Sequence, residues 1–346
     1  MPGPSVAPVR PYAGGPRPGR TVTDVVVLGG GALGVATAWW LARAGTAVVL
    51  LEERTAREVR REVRGTAWSA HPGWTAAGAR GPLADAVLAD AVRAWRGVER
   101  ETGSSVVALV DALDHGGPAD LPGERLRAGA LAARWPGTTL TGPVVVRPGA
   151  AVQVRADLAV AALTAAAVGA GAVVRHRSAA GAVEVLDERC VEVTTGEGPV
   201  RARRAVVTGT APGAGVGAGV ELHLGLRGDR GPTMPLIAHH DPELGLVRVA
   251  RCAQGHLAVG AGPGPRDLTS ELRDRVRSWF PDADGGPPEP VAPGAASTGS
   301  ADVAVDGDGP VVTAASAALG SVLVVLHARE LAERVLAGPA GALARA

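Results

Sequence analysis

The stretch DVVVLGGGALGVATAWW, Asp24 to Trp40, decides how this chain is read. Asp24–Leu28 is a short β-branched run of the kind that forms a strand buried on both faces. Gly29, Gly31 and Gly34 come next as G-x-G-x-x-G. Ala32–Ala44 reads as a helix ended at Ala44-Gly45, and Thr46–Leu51 reads as a second buried strand with Glu52 at its end. This is the start of a βαβ unit that holds a dinucleotide, and each part has a task. Gly29 permits the tight turn. Gly31 lets the backbone approach a pyrophosphate. Gly34 lets the helix close on the strands, and Ala38 extends that small-residue face. The helix start at Ala32 and Leu33 offers free N–H groups and the positive end of the dipole to the phosphates. Glu52, with Glu53 beside it, is placed to accept hydrogen bonds from the ribose hydroxyls of the adenosine half. An acid there also repels a 2′-phosphate, which disfavours NADP.

The 346 residues suffice for about two domains. An apolar fraction of 46% supports a full core, and a net charge of +1 gives no electrostatic case for nucleic acid or an anionic membrane. There is no lysine, so all 35 basic residues are arginine. Cys190 and Cys252 are isolated and make neither a metal-ligand spacing nor a disulfide framework, which points to a reducing cytoplasm. The first 20 residues are rich in Pro, Gly and Arg and read as a disordered tail. Val311–Leu326 is too short and too interrupted for a membrane span and reads as a buried strand and a helix start.

The segments beyond Glu52 separate FAD from NAD. An NAD dehydrogenase would continue with further βα units. Here the chain turns instead to REVRGTAWSAHPGW, Arg61 to Trp74. This segment resembles the second flavin-contacting segment of the FAD-dependent D-amino-acid oxidase family, which includes sarcosine and glycine oxidases. Gly65, Thr66 and Ala67 stand where that family begins a loop over the pyrophosphate. ARWPGTT (Ala133–Thr139) is similar to an RWPG segment of the sarcosine oxidases. Gly149–Val174 looks like the strand, helix and strand that lead to the adenine contact, expected near Ala180. Arg201–Pro212 looks like the strand that ends beside the FAD diphosphate, with Thr208 near its end. Arg248–Gly262 resembles a substrate-domain hairpin turning at Gln254-Gly255. Asp308–Gly338 resembles the last strand, flavin-facing loop and helix, with Gly320 in the loop.

The resemblance implies an α/β fold: a discontinuous Rossmann-like FAD-binding domain with an inserted antiparallel-sheet α+β substrate domain. The expected bounds are 21–85, 143–220 and 295–346 for the first, and 86–142 and 221–294 for the second. It implies an enzyme that oxidises a C–N bond of a small amine or amino acid derivative to an imine by hydride transfer to flavin N5. Electrons would leave to O₂ or another acceptor. The chain departs from the family pattern at the flavin end. The sarcosine-oxidase lysines have no counterpart, and Val322 stands where one would hold a substrate carboxylate. The flavin loop reads Ala317-Ala318-Leu319-Gly320. The covalent attachment cysteine is replaced near Ala295 and Ala296, so FAD is expected to be non-covalent.

Arg227, Arg248 and Arg251 are the replacement carboxylate binders, against the plainer reading of solvated strand charges. His71 is a candidate acid/base or flavin hydrogen-bond partner, against an exposed loop histidine. Trp68 and Trp74 either flank a substrate or pack. HHD, His239–Asp241, is read as a turn before Pro242 rather than a metal site, and Arg54–Arg64 as a solvated helix. Three functional readings stand: the flavoenzyme; a degenerate relative that keeps the fold as a binding or partner protein; and, third, an NAD-linked dehydrogenase.

Overall fold

The computed structural model describes residues 21–64, 68–72, 82–117, 120–210, 221–226, 234–251, 256–260, 269–281, 283–284, 303–306, 309–316 and 322–337. In chain order, β1 (Thr21–Leu28), α1 (Ala32–Arg43) and β2 (Val48–Glu52) form the opening βαβ start. They are followed by α2 (Ala56–Arg64), β3 (Trp68–Ala70), α3 (Pro82–Thr102), β4 (Val107–His115), β5 (Glu124–Leu126) and α4 (Ala128–Arg134). Next come β6 (Val144–Val154), α5 (Ala156–Gly169), β7 (Val173–His176), β8 (Ala180–Asp187), β9 (Cys190–Thr195) and β10 (Val200–Thr210). The rest comprises β11 (Glu221–Leu226), β12 (Leu236–Asp241), β13 (Gly245–Arg251), β14 (His256–Gly260), α6 (Thr269–Trp279), β15 (Ala283–Asp284), β16 (Val303–Asp306), β17 (Val311–Ser316) and α7 (Val324–Ala337).

The first sheet runs β16-β17-β10-β1-β2-β7. Its pairs from β17 to β7 are parallel, and β16 joins antiparallel at the edge. Alternation along β1 sorts its two faces. Val25 and Val27 face a core that includes α1, α3, α5 and α7, while Val26 and Leu28 face the β8–β9 hairpin, packing with Val183, Val191 and Val193. Helix, sheet and hairpin thus make three layers. The central helix α1 is buried nearly all round because its other sides meet α5 and α7. Its tryptophans bring polar tips into that core, and each indole N–H finds an acceptor. Trp39 donates to Glu101 at 2.7 Å and Trp40 to the Val325 carbonyl at 2.8 Å. Trp95 of α3 donates to the Val322 carbonyl at 2.9 Å.

The second sheet runs β15-β11-β14-β13-β12-β4-β6-β3. It is antiparallel except where β12 lies parallel to β4. One face packs on α4 and α6 through Leu113, Val144, Val146, Ile237, Val247 and Val249 against Leu131, Leu272 and Val276. The other carries Val110, Ala112, Ala151, Leu236, Ala238 and Ala250, and none of the described helices contributes to that cluster.

The expected domain bounds run through elements that both regions share, β6 also giving Val152 and Val154 to the first core. β6, expected in the dinucleotide domain, pairs along its length with β4 in the second sheet. α3, expected in the substrate domain, places Leu88, Ala91, Trp95 and Val98 in the first core. A Val-rich strand and an amphipathic helix look the same whichever core they serve. Of the stretch Arg54–Arg64, Ala56–Arg64 forms the helix α2, started by a reciprocal capping box. The Thr55 N–H donates to the Glu58 carboxylate at 2.7 Å, and the Glu58 N–H donates to the Thr55 hydroxyl at 3.2 Å. No described helix is long and apolar enough to cross a membrane.

Candidate active site

The glycines behave differently from one another, and the differences define a cradle. Gly29 has φ +105°, and a Cβ there would lie 2.6 Å from the Thr208 carbonyl oxygen. Gly34 sits so close under the turn that a Cβ would overlap the Gly29 carbonyl oxygen. Thr208 ties the turn from β10, its hydroxyl donating to the carbonyls of Leu28 at 3.0 Å and Gly29 at 3.1 Å. Gly31 is the opposite case. It is the N-cap of α1 with φ −66°, and a Cβ there would meet nothing within 4 Å. No side chain caps α1, and its first turn carries no acid. Open space lined by uncapped N–H groups at Ala32 and Leu33 fits a diphosphate.

Glu52 ends β2 and is 2% exposed. Its Oε2 accepts from the Gly30 N–H at 2.6 Å. Its remaining contacts come from Arg54: the backbone N–H (2.9 Å) and Nε (2.8 Å) donate to Oε1, and Nη2 donates to Oε2 at 3.0 Å. Burial pushes the carboxyl up, but Arg54 and the Gly30 N–H outweigh it and leave it below the usual carboxylate range. Glu53 is exposed beside it. The backbone next to Glu52 is that of residues 176–178: β7 aligns His176 with Glu52, and the Ser178 N–H donates to the Glu52 carbonyl at 2.9 Å. Ala180, expected at the adenine edge, is the first residue of β8 and pairs with Thr195. Gly65, Thr66, Ala67, Trp74, Arg227, Leu319 and Gly320 lie outside the described residues.

On the second sheet, β3 leads directly to His71. The expectation of an exposed loop histidine does not hold: His71 is fully buried. Burial, then the Arg147 charge, hold its pKa well below the usual value, against a hydrogen bond with the Leu113 backbone. Strand alternation puts Asp114, Arg147, His240 and Arg248 on the helix-free face. Arg147 pairs with Asp114 at 2.8 Å. Arg248 is partly buried, and burial alone brings its guanidinium down to about 10, so it stays charged at neutral pH. Its Nε has no hydrogen-bond partner among the described residues. Arg251 ends β13, opposite Leu257 of β14. Trp68 is fully buried in the first core, 6.3 Å from Trp95, and so packs rather than flanks a ligand. Val322 is likewise buried in that core.

His239–Asp241 is not a turn. It is the end of β12, and only residues 242–244 turn, with the Asp241 carboxylate accepting the N–H groups of Glu243 and Leu244. Pro242 marked the right boundary, but the strand runs up to it. His239 Nδ1 meets His115 Nδ1 at 2.8 Å, and His115 Nε2 meets the Thr141 carbonyl at 2.7 Å. A carbonyl only accepts, so His115 carries its proton on Nε2, and His239 donates across the pair. His239 Nε2 is then bare. That agrees with its 3.4 Å distance from Asp241, whose Oδ2 takes Arg275 at 2.8 Å. Burial, then the neighbouring His115, hold His239 down to about 4. Sequence showed the HHD but not its partner, which lies 124 positions away. No cluster of three metal-ligating side chains exists among the described residues.

Comparison with known proteins matches this architecture. A model of the FAD dependent oxidoreductase family, DAO, matches residues 24–333. Among solved structures, NikD, described as an unusual amino acid oxidase essential for nikkomycin biosynthesis, is 18% identical with a TM-score of 0.64. That match covers 92% of this chain and 94% of NikD. Glycine oxidase from Geobacillus kaustophilus is 17% identical at TM-score 0.64, covering 91% and 95%. Iminodiacetate oxidase from Chelativorans sp. BNC1 is 19% identical at 0.63, covering 91% and 96%. At such identities the likeness is one of fold. No curated protein matches the sequence. The family match extends from the first strand of the glycine motif to the last helix, and on it the chain belongs to the FAD-dependent oxidoreductases of the D-amino-acid oxidase family.

Proposed function

We propose that the chain oxidises the C–N bond of a small amine or amino acid derivative to an imine, with non-covalently held FAD supplying the two-electron acceptor when bound. The glycine turn, α1 and Glu52 would hold the adenosine diphosphate half. The observation that carries the substrate side is the helix-free face of the second sheet. There, Arg248 of β13 stands among alanines with no carboxylate paired to it among the described residues, while Arg147 of β6 and the buried, neutral His71 after β3 lie farther along the same sheet, beyond β12 and β4. With Arg147 neutralised by Asp114, the Arg248 charge disfavours an ammonium group beside it and favours an amine bound neutral, the form that gives up hydride. A carboxylate elsewhere on the same molecule would satisfy Arg248. Arg227 and Arg251 remain proposed helpers in the same role, and His71 a proposed acid/base or hydrogen-bonding group. O₂ or another acceptor would reoxidise the flavin. The purified protein, loaded with FAD and mixed anaerobically with amines, tests the proposal. Bleaching of the visible flavin band by a carboxylate-bearing amine supports it, and an FAD-loaded protein that no amine bleaches overturns it.

A further inference from the structure

Glu52 has no acceptor capacity left over. An ionised carboxylate offers about four lone-pair positions, two on each oxygen. Here each oxygen already takes two donors, three of the four from Arg54. Ribose hydroxyls that donate to Glu52 need some of those positions. The two backbone donors are fixed. The Gly30 N–H belongs to the glycine turn, and the Arg54 main chain is clasped from the other side, its carbonyl accepting the Arg177 N–H at 3.4 Å while Ser178 binds Glu52. That leaves the Arg54 guanidinium as the donor able to move away. Its side chain is 34% exposed whereas that of Glu52 is 2% exposed, so it has solvent to move into.

We propose that Arg54 is a built-in competitor of the cofactor: its guanidinium holds the ribose-binding edge of Glu52 until the adenosine half of FAD displaces it. This rests on FAD occupying the glycine cradle. The arrangement keeps a buried carboxylate paired while the cradle is empty, avoiding the cost of an unpaired buried charge, and it lowers cofactor affinity by the strength of the pair it breaks.

The test is a titration of apoprotein with FAD, with ADP and with FMN, followed by tryptophan fluorescence, for wild type, Arg54→Met and Arg54→Lys. ADP carries the adenosine ribose and FMN does not. For Arg54→Met we expect FAD and ADP to bind about tenfold tighter, the value of one partly exposed charge-assisted pair, with FMN unchanged. Arg54→Lys, which keeps the charge and loses the fork, should fall between. It also carries the test if the methionine variant fails to fold. The melting temperature of apoprotein should drop in Arg54→Met, and the gap to wild type should close on saturation with FAD. Unchanged or weaker FAD binding in both variants overturns the inference while leaving the FAD reading intact. If neither wild type nor either variant takes up FAD, the FAD reading itself fails and this inference with it.

Discussion

The glycine turn with Glu52 and the histidine group around His239 are both buried polar sites, yet they are built in opposite ways. The first is almost wholly local: Gly29, Gly31, Gly34, Glu52 and Arg54 lie within 26 consecutive residues, and backbone N–H groups do much of the binding. From afar, Thr208 and residues 176–178 reach in. The second is assembled from β4, β12, α6 and the Thr141 carbonyl. The local site keeps its charge, because donors surround the carboxylate. The histidines of the assembled site lose their charge, because burial outweighs what Asp241 offers a histidinium, while Asp241 stays ionised against Arg275. Local backbone donors stabilise an anion at Glu52 and at Asp241 alike, whereas imidazoles gathered in a core from distant strands settle for neutrality.

The largest expected effect breaks the local site through its backbone. Gly34→Val places a branched side chain where even a Cβ overlaps the Gly29 carbonyl oxygen. That oxygen is main chain and held by Thr208, so it cannot step aside. A loss of roughly 4 kcal/mol or more, or failure to fold, is expected in denaturant unfolding. A variant as stable as wild type would mean that the turn is more pliable than described.

Acid should break the assembled site first. An unfolded histidine titrates near 6.5, whereas His239 in the fold is held down to about 4, and His71 and His115 are lowered too. Between those values the unfolded chain binds more protons, so stability rises with pH. The contribution is whole above about 6.5 and is lost as pH falls towards 4, a gap worth about 3 kcal/mol for His239. The groups facing His239 are His115 from β4, Asp241 on its own strand, and Arg275 and Trp279 from α6. Melting temperature measured from pH 7 to 4.5 should fall steeply, and less steeply in His239→Gln. Glu52 and Asp241 act lower. Their carboxyls are depressed, so their contribution holds above the unfolded carboxylate range and disappears only as pH falls through their own lower values.

The same contrast explains what sequence could and could not reveal. Strand β1, helix α1, strand β2 and the acid at its end follow from residue type and period, which are local. The order of later segments carried the family. The Arg54 grip on Glu52 is written as E-x-R but depends on a rotamer, and no periodicity reports that. The His115–His239 pair depends on β12 lying beside β4, a long-range pairing that HHD alone does not encode. The sheet that takes β6 is equally hidden, because Val144–Val146 would suit a buried strand in either. A smaller effect probes the local side of the contrast. Glu52→Gln puts an amide N–H₂ where two sets of donors converge, and should cost about 1–2 kcal/mol in unfolding, reduced by solvent screening at Arg54.

Gly31→Ala should change stability least, and for that reason it says most. Gly31 and Gly34 belong to one motif, three residues apart, and a rule based on the motif alone would treat them alike. The structure separates them. At Gly31 φ is −66°, which alanine adopts without strain, and the added Cβ points into space with no atom within 4 Å. Alanine is a somewhat poorer N-cap than glycine, so unfolding should shift by no more than about 0.5 kcal/mol. Whatever the methyl group disturbs must therefore be something the protein itself does not supply. If the diphosphate of FAD lies against this backbone, the methyl group stands in its path, and FAD affinity measured by titration should fall at least about tenfold while the melting curve of apoprotein stays in place. Unchanged FAD affinity would mean that the cradle at Gly31 is not where the diphosphate rests.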